Sequence, residues 1–383
     1  MVRGILVAHP VIDHGGTSCR VGWVLRRMIN GRFVGIPRLI RSYKFDTPLN
    51  KRTGQPDLAA CLALEKKFIK VTAPKGVKKL KVVGGAFPGA WLESGRVYRN
   101  TVNTNRELEG VLLSRRFSRM MGKGWKTVIN NDGVAHALAI SQGLVSSIAR
   151  FPHIRKILEK TGKIAGFIPG TGFAGGVFIY KEDGSLTPVP GPQQFFDVII
   201  GIGKGMFDPN GRFRTTEDSV SGAGLSFKAR RSFLRKRYSE EELSTQNIGS
   251  LLARLAFSKD KHIKADEREF ALSLYREAAS GLARTMWLMN KGGIKGKRRK
   301  LVVNRPPSLE IKFWEGVKGT EVFVLGGWLT NPKLKRFFAR ALRKELEMAC
   351  LSRLQFIFAD DIPGVKEMVE SNSTGLIGAA LLV

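Results

Sequence analysis

Val11-Ile12-Asp13-His14-Gly15-Gly16-Thr17 ends an apolar, β-branched run in an acid, two glycines and a hydroxyl. The glycines return without the acid at Pro169-Gly170-Thr171-Gly172-Phe173-Ala174-Gly175-Gly176 and, without acid or hydroxyl, at Val322-Phe323-Val324-Leu325-Gly326-Gly327. Glycine lets backbone N–H groups approach anionic oxygens with no Cβ in the way. Asn130-Asn131-Asp132 lies between the first two runs and adds a carboxylate at a strand end. Carboxylates that hold Mg²⁺ or face an acceptor hydroxyl, together with loops that hold phosphate, are the parts phosphoryl transfer needs. The order suggests a nucleotide held between two related halves. No G-x-x-x-x-G-K-[ST] loop is present, and Gly201-x-Gly203-x-Gly205 lacks the third glycine of a dinucleotide fingerprint.

The chain has 383 residues, enough for two domains, and 43% of them are hydrophobic. No apolar run reaches membrane-spanning length, and the stretch before His9-Pro10 is too short for a signal peptide. Cys19, Cys61 and Cys350 are widely spaced and odd in number, which argues against a disulfide framework and for a reducing, cytoplasmic setting. The formal net charge is +32. Such a field attracts polyanions, among them polyphosphate. The charge is spread along the chain, with peaks near 66–81, 228–237 and 291–300, which also fits solvated faces.

Strand-like runs at 5–7, 19–25 and 36–43, joined at Gly15-Gly16 and Asn30-Gly31, predict a β-meander. Helical spacing follows over 57–70, then a strand at 80–85, a turn over 84–89, and a helix over 107–121. A strand at 127–129 delivers Asn131 and Asp132 to the start of a helix over 134–142. The second half repeats the pattern: a strand at 164–169, a turn over 170–176, and a strand at 177–180 that turns at Asp183-Gly184. Helices then dominate 228–290, a strand covers 322–325, a basic helix covers 334–348, and residues 376–383 form a closing apolar helix.

Asp13-x-Gly15-Gly16-Thr17, Gly85-x-x-Pro88-Gly89, Asn131-Asp132-x-x-Ala135, Gly170-Thr171-Gly172-x-x-Gly175-Gly176, Leu325-Gly326-Gly327 and Gly375-x-x-Gly378-Ala379-Ala380-Leu381-Leu382 follow one order. With Glu217-Asp218-Ser219-Val220-Ser221-Gly222-x-Gly224-Leu225, this set resembles the ROK family of glucokinases, related sugar kinases and repressors, within the actin/hexokinase/Hsp70 superfamily. The resemblance implies an α/β fold of two RNase H-like domains around a central cleft. The first would cover 1–131, joined by a C-terminal helix at 370–383, and the second 132–369, with a helical insertion at about 228–290. It implies ATP-dependent phosphorylation of a hexose or hexose-derivative hydroxyl. Asp132 would be the general base, with Asn131, Gly89 and Gln193 toward the sugar. Asp13 would organise Mg²⁺, directly or through water. Gly15, Gly16, Thr17, Gly170, Thr171 and Gly172 would take the phosphates, and Gly326 and Gly327 the adenosine. The family often forms dimers, which implies a homodimer.

The chain departs from the family at Gln193 and Phe196, where a Glu and a His are usual, and at His14, where an apolar residue is usual. No Cys or His lies between His153 and His262, so the family's structural Zn²⁺ is not expected. The residues alone also allow plainer roles: Asp132 as a helix cap, Asp13 as a turn former, and His14 and His136 as packing residues. Two further functions stay open, a polyphosphate-dependent sugar kinase and a non-catalytic ROK-like sensor of sugar or nucleotide.

Overall fold

The computed structural model describes residues 4–15, 18–52, 54, 57–88, 90–91, 97–99, 110–170, 172–189, 215–245, 247–293, 307–371 and 373–383. In chain order these give β1 (Ile5–His14), β2 (Ser18–Ile29), β3 (Arg32–Asp46), α1 (Leu58–Val71), β4 (Lys78–Lys79) and β5 (Val82–Phe87). Next come β6 (Ala90–Trp91), β7 (Val97–Arg99), α2 (Leu113–Met121), β8 (Lys126–Asn131), α3 (Asp132–Ser146) and α4 (Pro152–Thr161). They are followed by β9 (Lys163–Pro169), β10 (Phe173–Tyr180), β11 (Leu186–Pro188), α5 (Thr216–Val220), α6 (Gly222–Arg230), α7 (Ile248–Phe257) and α8 (Ala265–Lys291). The chain ends with α9 (Pro307–Val317), β12 (Val322–Leu325), α10 (Pro332–Met348), β13 (Gln355–Phe358), α11 (Val365–Glu370) and α12 (Thr374–Leu381). No helix among the described residues is long and apolar enough to cross a membrane.

The chain divides into two compact units, one of Met1–Arg155, Gly176–Gln193 and Asp360–Val383, the other of Lys156–Gly175 and Gln194–Ala359. In the first, the strand order is β3-β2-β1-β5-β8. The β1–β2 and β2–β3 pairs are antiparallel, whereas β1–β5 and β5–β8 are parallel. Asn30 and Gly31 both have positive φ, +50° and +77°, the geometry a tight hairpin needs. β1 is buried on both faces from Val7 to His14. It runs through Pro10, because Pro10 falls between the residues paired with β4 and those paired with β5. The missing N–H therefore leaves no ladder bond unmade. One face packs Ile12, Trp23, Ile69, Phe87, Leu113 and Phe117 into a core under α1 and α2. Asp57 caps α1, accepting from the Ala60 N–H at 3.0 Å.

Two sequence readings need correction in this unit. Gly84 and Gly85 are not a turn. They lie inside β5, where Gly84 pairs with Val11 and with Val128. A Cβ at Gly84 would overlap the Ala379 carbonyl of α12, so the missing side chain serves close packing. The α2 helix starts at Leu113 and not at 107, because Gly110 has φ +76°; residues 107–109 lie outside the described set.

In the second unit, β12 pairs in parallel with β9 and with β13, and α8 packs against α5, α7 and α10. The turn after β9 is tighter than the run 170–176 suggests, since β10 begins at Phe173. Gly327 follows β12 with φ +63°, and a Cβ there would overlap the Pro169 carbonyl. Gly327→Ala is therefore expected to cost about 1–3 kcal/mol of stability. Urea unfolding measures it, and a midpoint equal to wild type would show that the close approach is not needed.

Candidate active site

In the first unit, β1, β5 and β8 run parallel, so their C-terminal ends lie together, where open α/β sheets place ligands. Asp13 stands at that end of β1 and Asp132 directly after β8. The sheet brings these two predicted residues together and adds partners that the sequence reading did not assign. Arg20 is the cross-strand partner of Asp13, and its Nη1 lies 3.4 Å from Asp13 Oδ2. His136 is one helical turn past Asp132 on α3, so both side chains share a face. Its Nε2 lies 3.8 Å from Asp13 Oδ1, and its Nδ1 pairs with Thr374 Oγ1 at 2.7 Å.

Asp132 is not the cap of α3. Asn131 is, its Oδ1 accepting from the Val134 N–H at 3.3 Å. Asp132 Oδ1 accepts from the Gly133 N–H at 2.7 Å. Asp13 is almost fully buried, and Gly375, at the start of α12, lies directly against its carboxylate. The glycine is required there, because a Cβ would overlap Asp13 Oδ2.

The two carboxylates are driven apart electrostatically. Burial pushes the Asp13 carboxyl up, but the pairing with His136 and the charges of His136, Arg20 and His14 overcome it and hold the group below the usual value. Burial raises Asp132 above the usual value; the His136 charge and the Gly133 N–H oppose this, and the Asp13 charge adds to it. Burial would lower His136, yet Asp13 and Asp132 together raise it. Neighbouring carboxyls with opposed shifts are the pattern of divided acid–base roles.

Gly15 closes the β1–β2 turn: its N–H donates to the Ser18 carbonyl at 3.0 Å, and its own carbonyl accepts from Thr47 Oγ1 at 2.9 Å. Gly16, Thr17, Gly89, Thr171, Gln193 and Phe196 lie outside the described residues.

In the second unit, the predicted phosphate and adenosine glycines end neighbouring parallel strands, β9 and β12. The Gly170 N–H donates to the Gly172 carbonyl at 2.8 Å, and the Gly170 carbonyl accepts from the Gly222 N–H at 2.8 Å. The Gly326 N–H donates to the Phe167 carbonyl at 2.8 Å. Glu217, quoted only as part of a motif, accepts from the Phe173 N–H at 2.7 Å and is raised by burial to about 7, against the pull of that N–H. Gly170, Gly172, Gly222, Gly326 and Gly327 thus gather around one end of this sheet.

A cavity of about 440 Å³ in the first unit is lined by Arg26, Phe33, Gln142, Asp183, Leu186 and Leu381, among others. It sits at the Ile5–Met28 end of the β1–β2 register, opposite the Asp13–Arg20 end, and none of the predicted site residues that are described lines it.

No family model matches the sequence, and no curated protein does. Solved structures match over nearly the whole chain. A ROK hexokinase from Thermus thermophilus has a TM-score of 0.56 at 19% identity, covering 98% of this chain and 97% of its own. A ROK family glucokinase from Streptomyces griseus, solved with glucose and AMPPNP, has a TM-score of 0.53 at 18% identity, covering 98% and 99%. A ROK family transcriptional regulator, described as a homolog of the E. coli MLC protein, has a TM-score of 0.57 at 12% identity, covering 98% and 81%. The chain has the ROK-type, actin/hexokinase-like fold. At these identities the likeness establishes the fold alone.

Proposed function

We propose that this chain is a sugar kinase that transfers a phosphoryl group from ATP to a hydroxyl of a hexose or hexose derivative, with Asp132 as general base. The observation that carries the reading is the pair of carboxylates at the ends of β1 and β8, one held below the usual value and one raised, with His136 in contact with the first and acting on both by charge. A general base works best when its pKa lies near the working pH, and a raised carboxyl moves that way. Asn131 and Gly89 face the sugar in this reading, and Gln193 bonds one of its hydroxyls. Gly15, Gly16, Thr17, Gly170, Thr171 and Gly172 hold phosphate, and Gly326 and Gly327 lie against the adenosine. The contacts to Asp13 at 3.4 and 3.8 Å are long, so a hard cation would compete with Arg20 and His136 for its oxygens. Asp13 would hold Mg²⁺, directly or through water, and the ion would neutralise charge on the transferring phosphoryl group.

A panel of hexoses and amino sugars, assayed for ATP turnover, tests the proposal. Turnover with at least one sugar is expected. Polyphosphate in place of ATP, at several salt concentrations, tests the donor that the +32 charge would favour. The second reading is a sensor without catalysis. It is motivated by the enclosure of Asp13 between Arg20 and His136, cations that compete with a metal ion. Tight sugar binding with no turnover on either donor would establish it. The resemblance further implies a homodimer, which sedimentation measures directly.

The pH profile offers a separate check. Asp132 must be ionised to accept a proton, so the rate falls as pH drops through its raised pKa. His136 holds that pKa down. In His136→Gln the restraint is lost, and the acid limb of kcat is expected to move to higher pH. A limb that stays in place or moves down would remove Asp132 from the role of titrating base.

A further inference from the structure

Beside the proposed catalytic carboxylates lies a buried set of soft and borderline donors. His14 and Cys19 face each other across the β1–β2 ladder. Cys61 and Glu65 are one turn apart on α1 and so share its inward face. A cross-strand pair and a helical pair thus converge from two elements. The donor atoms of His14, Cys19 and Cys61 all lie within 4.8 Å of one another. Cys19 Sγ is 3.5 Å from His14 Nδ1. Zn–S and Zn–N bonds of ordinary length at a tetrahedral angle put a sulfur and a nitrogen about 3.6 Å apart. Glu65 Oε1 is 2.8 Å from the same His14 Nδ1, and Glu65 Oε2 is buried with no partner among the described residues. Cys19, Cys61 and Glu65 have no exposed surface, and His14 keeps 5%. An unpartnered carboxylate oxygen in such a place is costly unless something binds it.

We propose that His14, Cys19, Cys61 and Glu65 form a structural Zn²⁺ site. Two sulfurs, one imidazole nitrogen and one carboxylate oxygen make a closed four-donor set, the kind that selects zinc over magnesium or calcium. Binding releases both thiol protons and the proton held between His14 and Glu65 to solvent, leaving thiolates, neutral imidazole and carboxylate as ligands. The ion would tie β1, β2 and α1 together one residue beyond Asp13. The site uses residues far from the region where the resemblance puts its zinc cysteines, and it accounts for a histidine at position 14. The proposal holds whether or not the chain is a kinase.

The test is metal analysis of the untagged full chain, purified under reducing conditions without chelator. About one zinc per chain is expected. After chelation, Co²⁺ titration is expected to give a thiolate-to-cobalt charge-transfer band that saturates at one equivalent. Cys61→Ser and Glu65→Gln should each weaken Co²⁺ retention at least tenfold, whereas Cys350→Ser, at an exposed cysteine, should leave it unchanged. The wild-type cobalt titration decides the matter even if a variant fails to fold. Reduced wild-type protein that holds no zinc and shows no thiolate–cobalt band overturns the site. So does peptide mapping that finds a Cys19–Cys61 disulfide in protein purified metal-free.

Discussion

Asp132→Asn is expected to lower kcat for sugar phosphorylation by about 10²–10⁴-fold, the range a positioned general base contributes. The substitution keeps the shape of the side chain and an oxygen able to accept from the Gly133 N–H. It removes only the capacity to take a proton. KM for both substrates should therefore change little, because the lost interaction belongs to the transition state. Removing the Asp132 charge also withdraws one of the forces that raise His136, so that histidine should titrate lower in the variant. Steady-state kinetics and the histidine NMR titration together separate loss of the base from loss of the fold. Turnover within a few-fold of wild type would place the base elsewhere.

Gly375→Ala should be nearly as damaging, for a reason of space rather than charge. In an ordinary helix this change stabilises by about 0.5–1 kcal/mol. Here the new methyl meets the Asp13 carboxylate. α12 has little room to retreat, since a Cβ at Gly378 would already overlap the Ala135 carbonyl of α3, and the Ala379 carbonyl lies against Gly84 of β5. The overlap must be relieved at Asp13. Overpacking of this kind costs about 1–3 kcal/mol, and an ångström of displacement at a catalytic group costs on the order of 10²-fold in rate. Urea unfolding and kcat measure the two effects separately. Activity and stability equal to wild type would show that Asp13 has freedom the packing does not suggest.

Much of this was legible in the residues. The Asn30-Gly31 step and the β-branched runs before each glycine pair predict the meander and the individual strands, because those signals are local, whereas the parallel pairing is not. Asp13 and Asp132 were legible for the same reason, each at the end of an apolar run. Two partners left a readable trace that spacing would have revealed: His136 stands at i+4 from Asp132, and Arg20 faces Asp13 once the β1–β2 turn is placed. Thr374 left none, and Gly375 was quoted in a motif with no sign of what it touches, since their contacts to His136 and Asp13 bridge most of the chain. Gly84-Gly85 misled because glycine serves both turns and close approach, and only the position of α12 tells them apart.

The placement of α12 also has a consequence for how the protein comes into being. Arg26 of β2 donates to the carbonyl of Ala380, a partner 354 positions later, and β1 and β5 are sealed by that same helix. At ribosomal speeds of roughly 5–20 residues per second, Arg26 waits about 20–70 s for that partner, and the strands made after it wait somewhat less. A sheet left open that long keeps an apolar face in water until the helix arrives.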